Sequence, residues 1–259
     1  MSKTRDLIEK IKLYFRFSPD ELKGIIITIL IIGFMLSFND WNITGSNKFD
    51  GRVGTQHLII SLLVVAISIL INLTVKRIAA LNIGYRLEYR MWLPGLLFGL
   101  ITCLILNTLF GGFNWGWVFI APGSILLHHL VGHRLGFFRY GINLWSKSMI
   151  IIWGLVATMA VATLFKILYT SDPTNYFYYK MFVFNLVLAV FLALPIPPSD
   201  GAFVMYATRG IYTFVIGAVI GWAVLMYHTN ISIALIGMVL LGIASLVVFF
   251  LVYETDFIK

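Results

Sequence analysis

The chain has 259 residues, 60% of them hydrophobic and 12% charged, with a formal net charge of +8. Ordinary soluble domains carry about 25% charged residues, so this composition excludes a soluble globular protein and points to one polytopic membrane domain. The positive charge does not call for nucleic acid, because Lys and Arg cluster between apolar segments, as the bias toward positive cytoplasmic loops requires. The single cysteine, Cys103, lies in an apolar run and excludes an intrachain disulfide.

Residues 1–17 are basic, with Leu, Ile and Phe interspersed. They read either as an amphipathic helix on the cytoplasmic membrane surface or as a partly ordered basic tail. Ser18-Pro19-Asp20-Glu21 reads as a helix start: Ser18 caps, Pro19 suits the first helical position, and Glu21 closes a capping box. The expected division is a basic amphipathic segment over 1–21, a membrane domain over 22–253 and a polar tail over 254–259. The first apolar stretch has no small-residue cleavage pattern behind it and reads as a retained span, 22–38, not a signal peptide.

Residues 39–56 are polar and suit an external loop; Asn42-Ile43-Thr44 fits a glycosylation acceptor, a triplet frequent by chance. A second span is expected over 57–75. The basic stretch after it, with Lys76, Arg77, Arg86 and Arg90 against Glu88, reads as a cytoplasmic loop. A third span covers 91–110, and a Gly/Trp turn over 111–116 leads to a fourth over 117–131. Ala121-Pro122-Gly123 interrupts the fourth early and predicts a kink or re-entrant entry. It ends in His128-His129-Leu130-Val131-Gly132-His133. A fifth span (147–168) and a Tyr-rich outer loop (169–180) follow, and the last two spans (211–227 and 231–252) flank His228-Thr229-Asn230. His57 and His228 are isolated at span ends and suit interfacial roles.

The sixth span organises the rest. Phe184 to Phe203 is an apolar helix with Asn185 near one end; it breaks at Pro195, Pro197 and Pro198 and delivers one carboxylate, Asp200, before a glycine. A charge beside such a break is a site hypothesis by default; the plainer reading is a solvated Asp at a helix end. Eight spans with a cytoplasmic N-terminus put the C-terminus on the same side, together with Lys76, His133 and Asp200.

From about Ser18 to Leu225 the chain resembles the site-2 protease family, the intramembrane zinc metalloproteases, and especially its archaeal branch. The resemblance is carried by S-P-D-E-L-K-G before the first span, by A-A-L-N-I-G-Y-R-L-E-Y-R-M-W (79–92) followed by G-L-L-F-G-L, by F-I-A-P-G-S (119–124), by Y-G-I-N-L-W (140–145), and by F-N-L-V-L-A-V-F-L-A-L-P-I-P-P-S-D-G (184–201). It implies an all-α polytopic membrane protein of about eight transmembrane helices with a site-2 protease-like core. It also implies a zinc held by two His of an H-E-x-x-H helix and by the Asp of the D-G segment. In such a helix the two His share one face, and the Glu acts as general base on metal-bound water.

Counting back from Gly84-Tyr85, that motif falls at 72–76, where the chain has N-L-T-V-K. Asn72 and Lys76 stand at the histidine positions and Leu73 at the glutamate position, so only Asp200 survives from the ligand set. The loop element that the family carries near 143–148 reads N-L-W-S-K-S. These two departures predict that proteolysis has been lost and that Lys76 pairs with Asp200, because a buried carboxylate needs a partner. The competing expectation is that Lys76 extends to the interface and pairs with nothing.

The resemblance leaves two functions open. The first is a pseudoprotease that binds or regulates transmembrane proteins or peptides, with no cofactor favoured. The second is an active zinc protease with a relocated site at His129, His133 and Asp200, since His129 and His133 have H-x-x-x-H spacing; Leu130 then stands where a Glu is needed. Glu88 is no substitute, because the family carries a Glu at that place anyway. A channel or transporter is a third class, but no inverted repeat supports it. The expected partners are the bilayer and membrane proteins, not nucleic acid, and the expected location is the cell membrane with both termini cytoplasmic.

Overall fold

The computed structural model describes residues 3–41, 50–109, 119–130 and 142–253. The glycosylation triplet, the Gly/Trp turn, His133 and the polar tail lie outside them. The described chain is helical with one small sheet: α1 (Lys3–Tyr14), α2 (Pro19–Ser37), α3 (Gly51–Ile83), β1 (Tyr85–Met91), α4 (Leu93–Leu109), β2 (Gly123–His129), α5 (Leu144–Ser171), α6 (Tyr176–Ala193), α7 (Asp200–Ala207), α8 (Arg209–His228) and α9 (Ile231–Tyr253). Of these, α3, α5, α6, α8 and α9 are long and apolar enough to cross a membrane. This is a polytopic, essentially all-α membrane protein.

Local chemistry sets the helix starts. α2 opens on the expected capping box, with Ser18 accepting from the Glu21 amide at 3.2 Å and Glu21 accepting from the Ser18 amide at 3.3 Å. Asp50 caps α3, and Asn175 caps α6 by accepting from the amides of Phe177 and Tyr178. That last cap corrects the Tyr-rich loop: Tyr176, Tyr178 and Tyr179 form the first turn and a half of α6.

Two larger corrections bear on the site. α3 does not end at 75; it runs for 33 residues to Ile83, and both Lys76 and Arg77 are buried within it. Each is neutralised by a carboxylate, which removes the reason to leave the helix. The expected fourth span is not a helix either. Its described part forms β2, antiparallel to β1, with Tyr85 opposite His129, Leu87 opposite Leu127 and Tyr89 opposite Ile125. These six positions alternate with exposed or half-buried ones, the period-two pattern of a strand with one buried face. Glycines bound the sheet: Gly84 closes α3 at φ 102° and Gly123 opens β2 at φ 151°, both left-handed conformations that disfavour side chains. With this span gone, the even count that placed both termini on one side no longer applies.

The largest apolar core joins α2, α3, α5, α6 and α8 through residues such as Ile32, Val65, Leu155, Phe184 and Trp222. A second core, with Leu87, Leu127, Ile150 and Val204, lies under the sheet and against α5 and α7. The outer surface of α9 is almost wholly apolar and exposed, as at Ile236, Leu240 and Leu251, which suits contact with lipid.

Candidate functional site

Asn72 and Lys76 are four residues apart on α3 and therefore share one face. α5 and α7 complete the arrangement. Asn72 donates through Nδ2 to Gly154 O and Thr158 Oγ1, both at 2.9 Å, and so ties α3 to α5. Lys76 runs along the same surface. A Cβ placed at Gly154 would lie 2.3 Å from Lys76 Cε, so the missing side chain is what admits the lysine stem. At its tip the ammonium donates to Asp200 Oδ2 in a buried ion pair, with the two residues 3% and 2% exposed.

Asp200 reaches this position because the chain reverses between α6 and α7. The prolines at 195, 197 and 198 end α6, and α7 begins at Asp200. A carboxylate in a first helical turn is favoured by the helix dipole. Gly201 then packs on the end of α6: a Cβ there would sit 2.2 Å from Ala193 O. Only glycine allows that approach, which accounts for the Asp-Gly order. Ser199 spends its hydroxyl on Leu194 O at 2.7 Å instead of capping α7. Asp200 Oδ1 is buried and has no hydrogen-bond partner among the described residues.

A cavity of about 20 Å³, room for about one water, lies beside the pair. Asn72, Leu73, Lys76 and Tyr89 form one side, and Gly123 to Ile125 at the start of β2 form another. Tyr89 fixes this cover, because its hydroxyl donates to Pro122 O and stands 2.9 Å from Thr28 Oγ1. Burial pushes the Tyr89 phenol above its ordinary range, against the opposing effect of the Thr28 hydrogen bond, so it remains a donor.

The donor set does not fit zinc, which takes thiolate, imidazole or carboxylate ligands. The two histidine positions offer an amide committed to α5 and an ammonium, and that ammonium already neutralises Asp200. Among the described residues no group of three or more His, Cys, Asp or Glu side chains gathers as a metal site. His129 does not occupy the helix that its spacing to His133 requires. It ends β2, with its ring 4.9 Å from that of Tyr85. Glu88 lies on the outer face of the sheet, 3.2 Å from His128 and 3.4 Å from Arg90. His57 stacks on Tyr176 at 4.4 Å, and His228 lies at the end of α8.

Sequence reasoning missed a second buried network one residue away. Arg77 donates to Glu21, and Glu21 also accepts from the Tyr89 amide at 2.9 Å. Arg77 further donates to Arg16 O at 2.7 Å and lies 3.9 Å from the Phe17 ring centroid. The signal was the capping-box glutamate itself, which has a second oxygen to satisfy. Asn185, singled out from the sequence, donates to Ser68 Oγ and to Met181 O, both at 2.8 Å, and links α6 to α3.

The class these features define is a helical membrane protein whose central polar site holds a lysine–aspartate pair. Over 216 residues, 82% of this chain and 97% of the relative, the sequence is 28% identical to a Methanocaldococcus jannaschii protein named "putative zinc metalloprotease". That likeness supports the resemblance to the intramembrane metalloproteases carried by the motifs above. No family model matches the chain, and no solved structure matches it.

Proposed function

We propose that this protein is a non-catalytic relative of the intramembrane zinc metalloproteases, one that binds membrane-spanning segments of other proteins and regulates them. The observation that carries this reading is the Lys76 ammonium on Asp200. A fixed positive charge stands where the resemblance places a metal, and Leu73 stands where it places the general base. The same residues then serve as a strut: Lys76 and Asp200 join α3 to α7, and Asn72 joins α3 to α5. The unwound segment between α6 and α7 supplies backbone groups that a passing helix or strand from a partner can meet.

Metal content of the purified protein tests the first half. The wild type is expected to hold far less than one zinc per chain, and Asn72→His/Lys76→His, which restores two imidazoles beside Asp200, is expected to approach one. Near-stoichiometric zinc in the wild type, lost in both Asp200→Ala and His129→Ala, would overturn the reading in favour of a relocated protease site. The second half is tested by a photo-crosslinking residue at position 192, which lines the cavity, in native membranes. Adducts with transmembrane segments are expected there and not from position 236 on the lipid-facing surface; equal labelling from both sites removes the partner.

A further inference from the structure

A second, larger cavity lies away from the Lys76–Asp200 pair and is independent of the reading above. It has a volume of about 660 Å³ and opens where α8 begins and α9 ends, lined by Thr208, Arg209, Tyr212, Thr213, Phe249 and Tyr253. Both helices are long and apolar enough to span a membrane, so their shared end lies at a membrane face. The aromatic residues there, with Tyr206 and Tyr253 exposed, suit that level.

Three features of the cavity go together. Arg209 is the first residue of α8, so its cation sits at the positive end of the helix dipole, where an anion is favoured and a cation is not. Thr208, the residue before it, makes no side-chain cap, so no hydroxyl shields the first-turn amides. Tyr212, one turn further on, is only 8% exposed, yet its hydroxyl has no hydrogen-bond partner among the described residues. A buried hydroxyl in an otherwise apolar setting is unfavourable without an acceptor. A guanidinium, an uncapped helix start and an unmatched phenol all call for the same species, a multivalent oxyanion. The opposite wall is apolar, made by Phe249 and Tyr253 with ring centroids 5.2 Å apart.

We propose that this cavity binds the phosphate group of an anionic amphiphile, with Arg209 and the Tyr212 hydroxyl as donors and the α9 aromatic residues against its apolar part. Phosphate can come from a phospholipid headgroup or from solution, and a titration separates the two. Native mass spectrometry of the full-length protein in detergent, titrated with phosphatidylglycerol, phosphatidylcholine or inorganic phosphate, reads occupancy directly. The wild type is expected to bind one phosphatidylglycerol about tenfold more tightly than phosphatidylcholine; Arg209→Gln and Tyr212→Phe are each expected to weaken it about tenfold, one charged hydrogen bond's worth. Lys23→Gln, at an exposed lysine far along the sequence, should leave it unchanged. Tyr212→Phe keeps the buried ring, so unchanged circular dichroism and melting separate lost binding from lost folding. If inorganic phosphate binds with the same dependence on both residues and lipid adds nothing, the phosphate site stands and its source is soluble. Phosphatidylglycerol affinity that is the same in wild type and both variants, or absence of binding by every ligand, overturns the proposal.

Discussion

Lys76 and Arg77 are consecutive on α3, and each holds a buried carboxylate, but the two pairs are built differently. Glu21 accepts from Arg77 and from two backbone amides, those of Ser18 and Tyr89, while Arg77 also donates to Arg16 O and lies over Phe17. That network ties the N-terminal segment, α2, α3 and β1 together with both carboxylate oxygens engaged. Asp200 uses one oxygen on Lys76; the other has no partner among the described residues, and a small cavity lies beside it. A buried ion pair that evolved as a strut satisfies its remaining lone pairs, because the interior gives poor return on an isolated charge. The Lys76–Asp200 pair looks instead like a carboxylate positioned for another partner and neutralised afterwards.

The comparison predicts unequal costs. Glu21→Ala should be the most damaging single change, because it strands Arg77 and frees two backbone amides: about 3–5 kcal/mol for the broken buried pair, with about 1 kcal/mol more for each lost hydrogen bond. Thermal unfolding in detergent checks it, and a loss below about 2 kcal/mol would contradict a structural strut. Lys76→Met should cost about 3 kcal/mol by leaving Asp200 unpaired. The double variant Lys76→Met/Asp200→Asn should recover most of that loss, because replacing both members of a buried pair is often neutral or stabilising. The equivalent double replacement, Glu21→Gln/Arg77→Met, should recover much less, since the backbone amides and Arg16 O still need charged partners. Equal recovery at the two sites would erase the distinction drawn between them.

The difference also explains what could be read in advance. The capping box at Ser18 and Glu21 is local, so its residue types suffice. The Lys76–Asp200 pair was legible because the motif register placed 72–76 opposite Asp200, and chemistry then demanded a partner. Arg77 carried no such register. Its partner lies 56 residues away, and its charge was assigned to a cytoplasmic loop. The sheet was missed for a different reason. In Tyr85–Met91 the buried Tyr85, Leu87 and Tyr89 alternate with Arg86, Glu88 and Arg90, a strand pattern obscured by the charges. In 123–129 a short apolar run is equally consistent with helix and strand, and only the pairing with β1 decides it. Gly154 gave no signal at all, since its role is to make room for a side chain 78 positions earlier in the chain, Lys76.

That glycine offers a sharper test of how Lys76 is held. Gly154→Ala places a methyl group against the lysine stem and should cost about 1–3 kcal/mol by overpacking. In a Lys76→Ala background the same methyl finds space, so the two effects should be strongly non-additive. Additive losses would mean that the helix backbone, not Lys76, resents the change.

The smallest effect tests the one residue that belongs to both networks. Tyr89 gives its amide to Glu21, and its ring and hydroxyl lie beside the Lys76 cavity, bonded to Pro122 O and Thr28. Tyr89→Phe removes only the second half. Pro122 O then loses a donor, while the Glu21–Arg77 pair and the β1–β2 register keep theirs. The expected loss is about 1 kcal/mol, but its location matters more than its size. Hydrogen exchange should rise at the start of β2, around Gly123 to Ile125, and stay unchanged at the start of α2. Exchange rising at both would mean that the two buried pairs are one cooperative unit, and that Lys76–Asp200 shares the strut role assigned here to Glu21–Arg77.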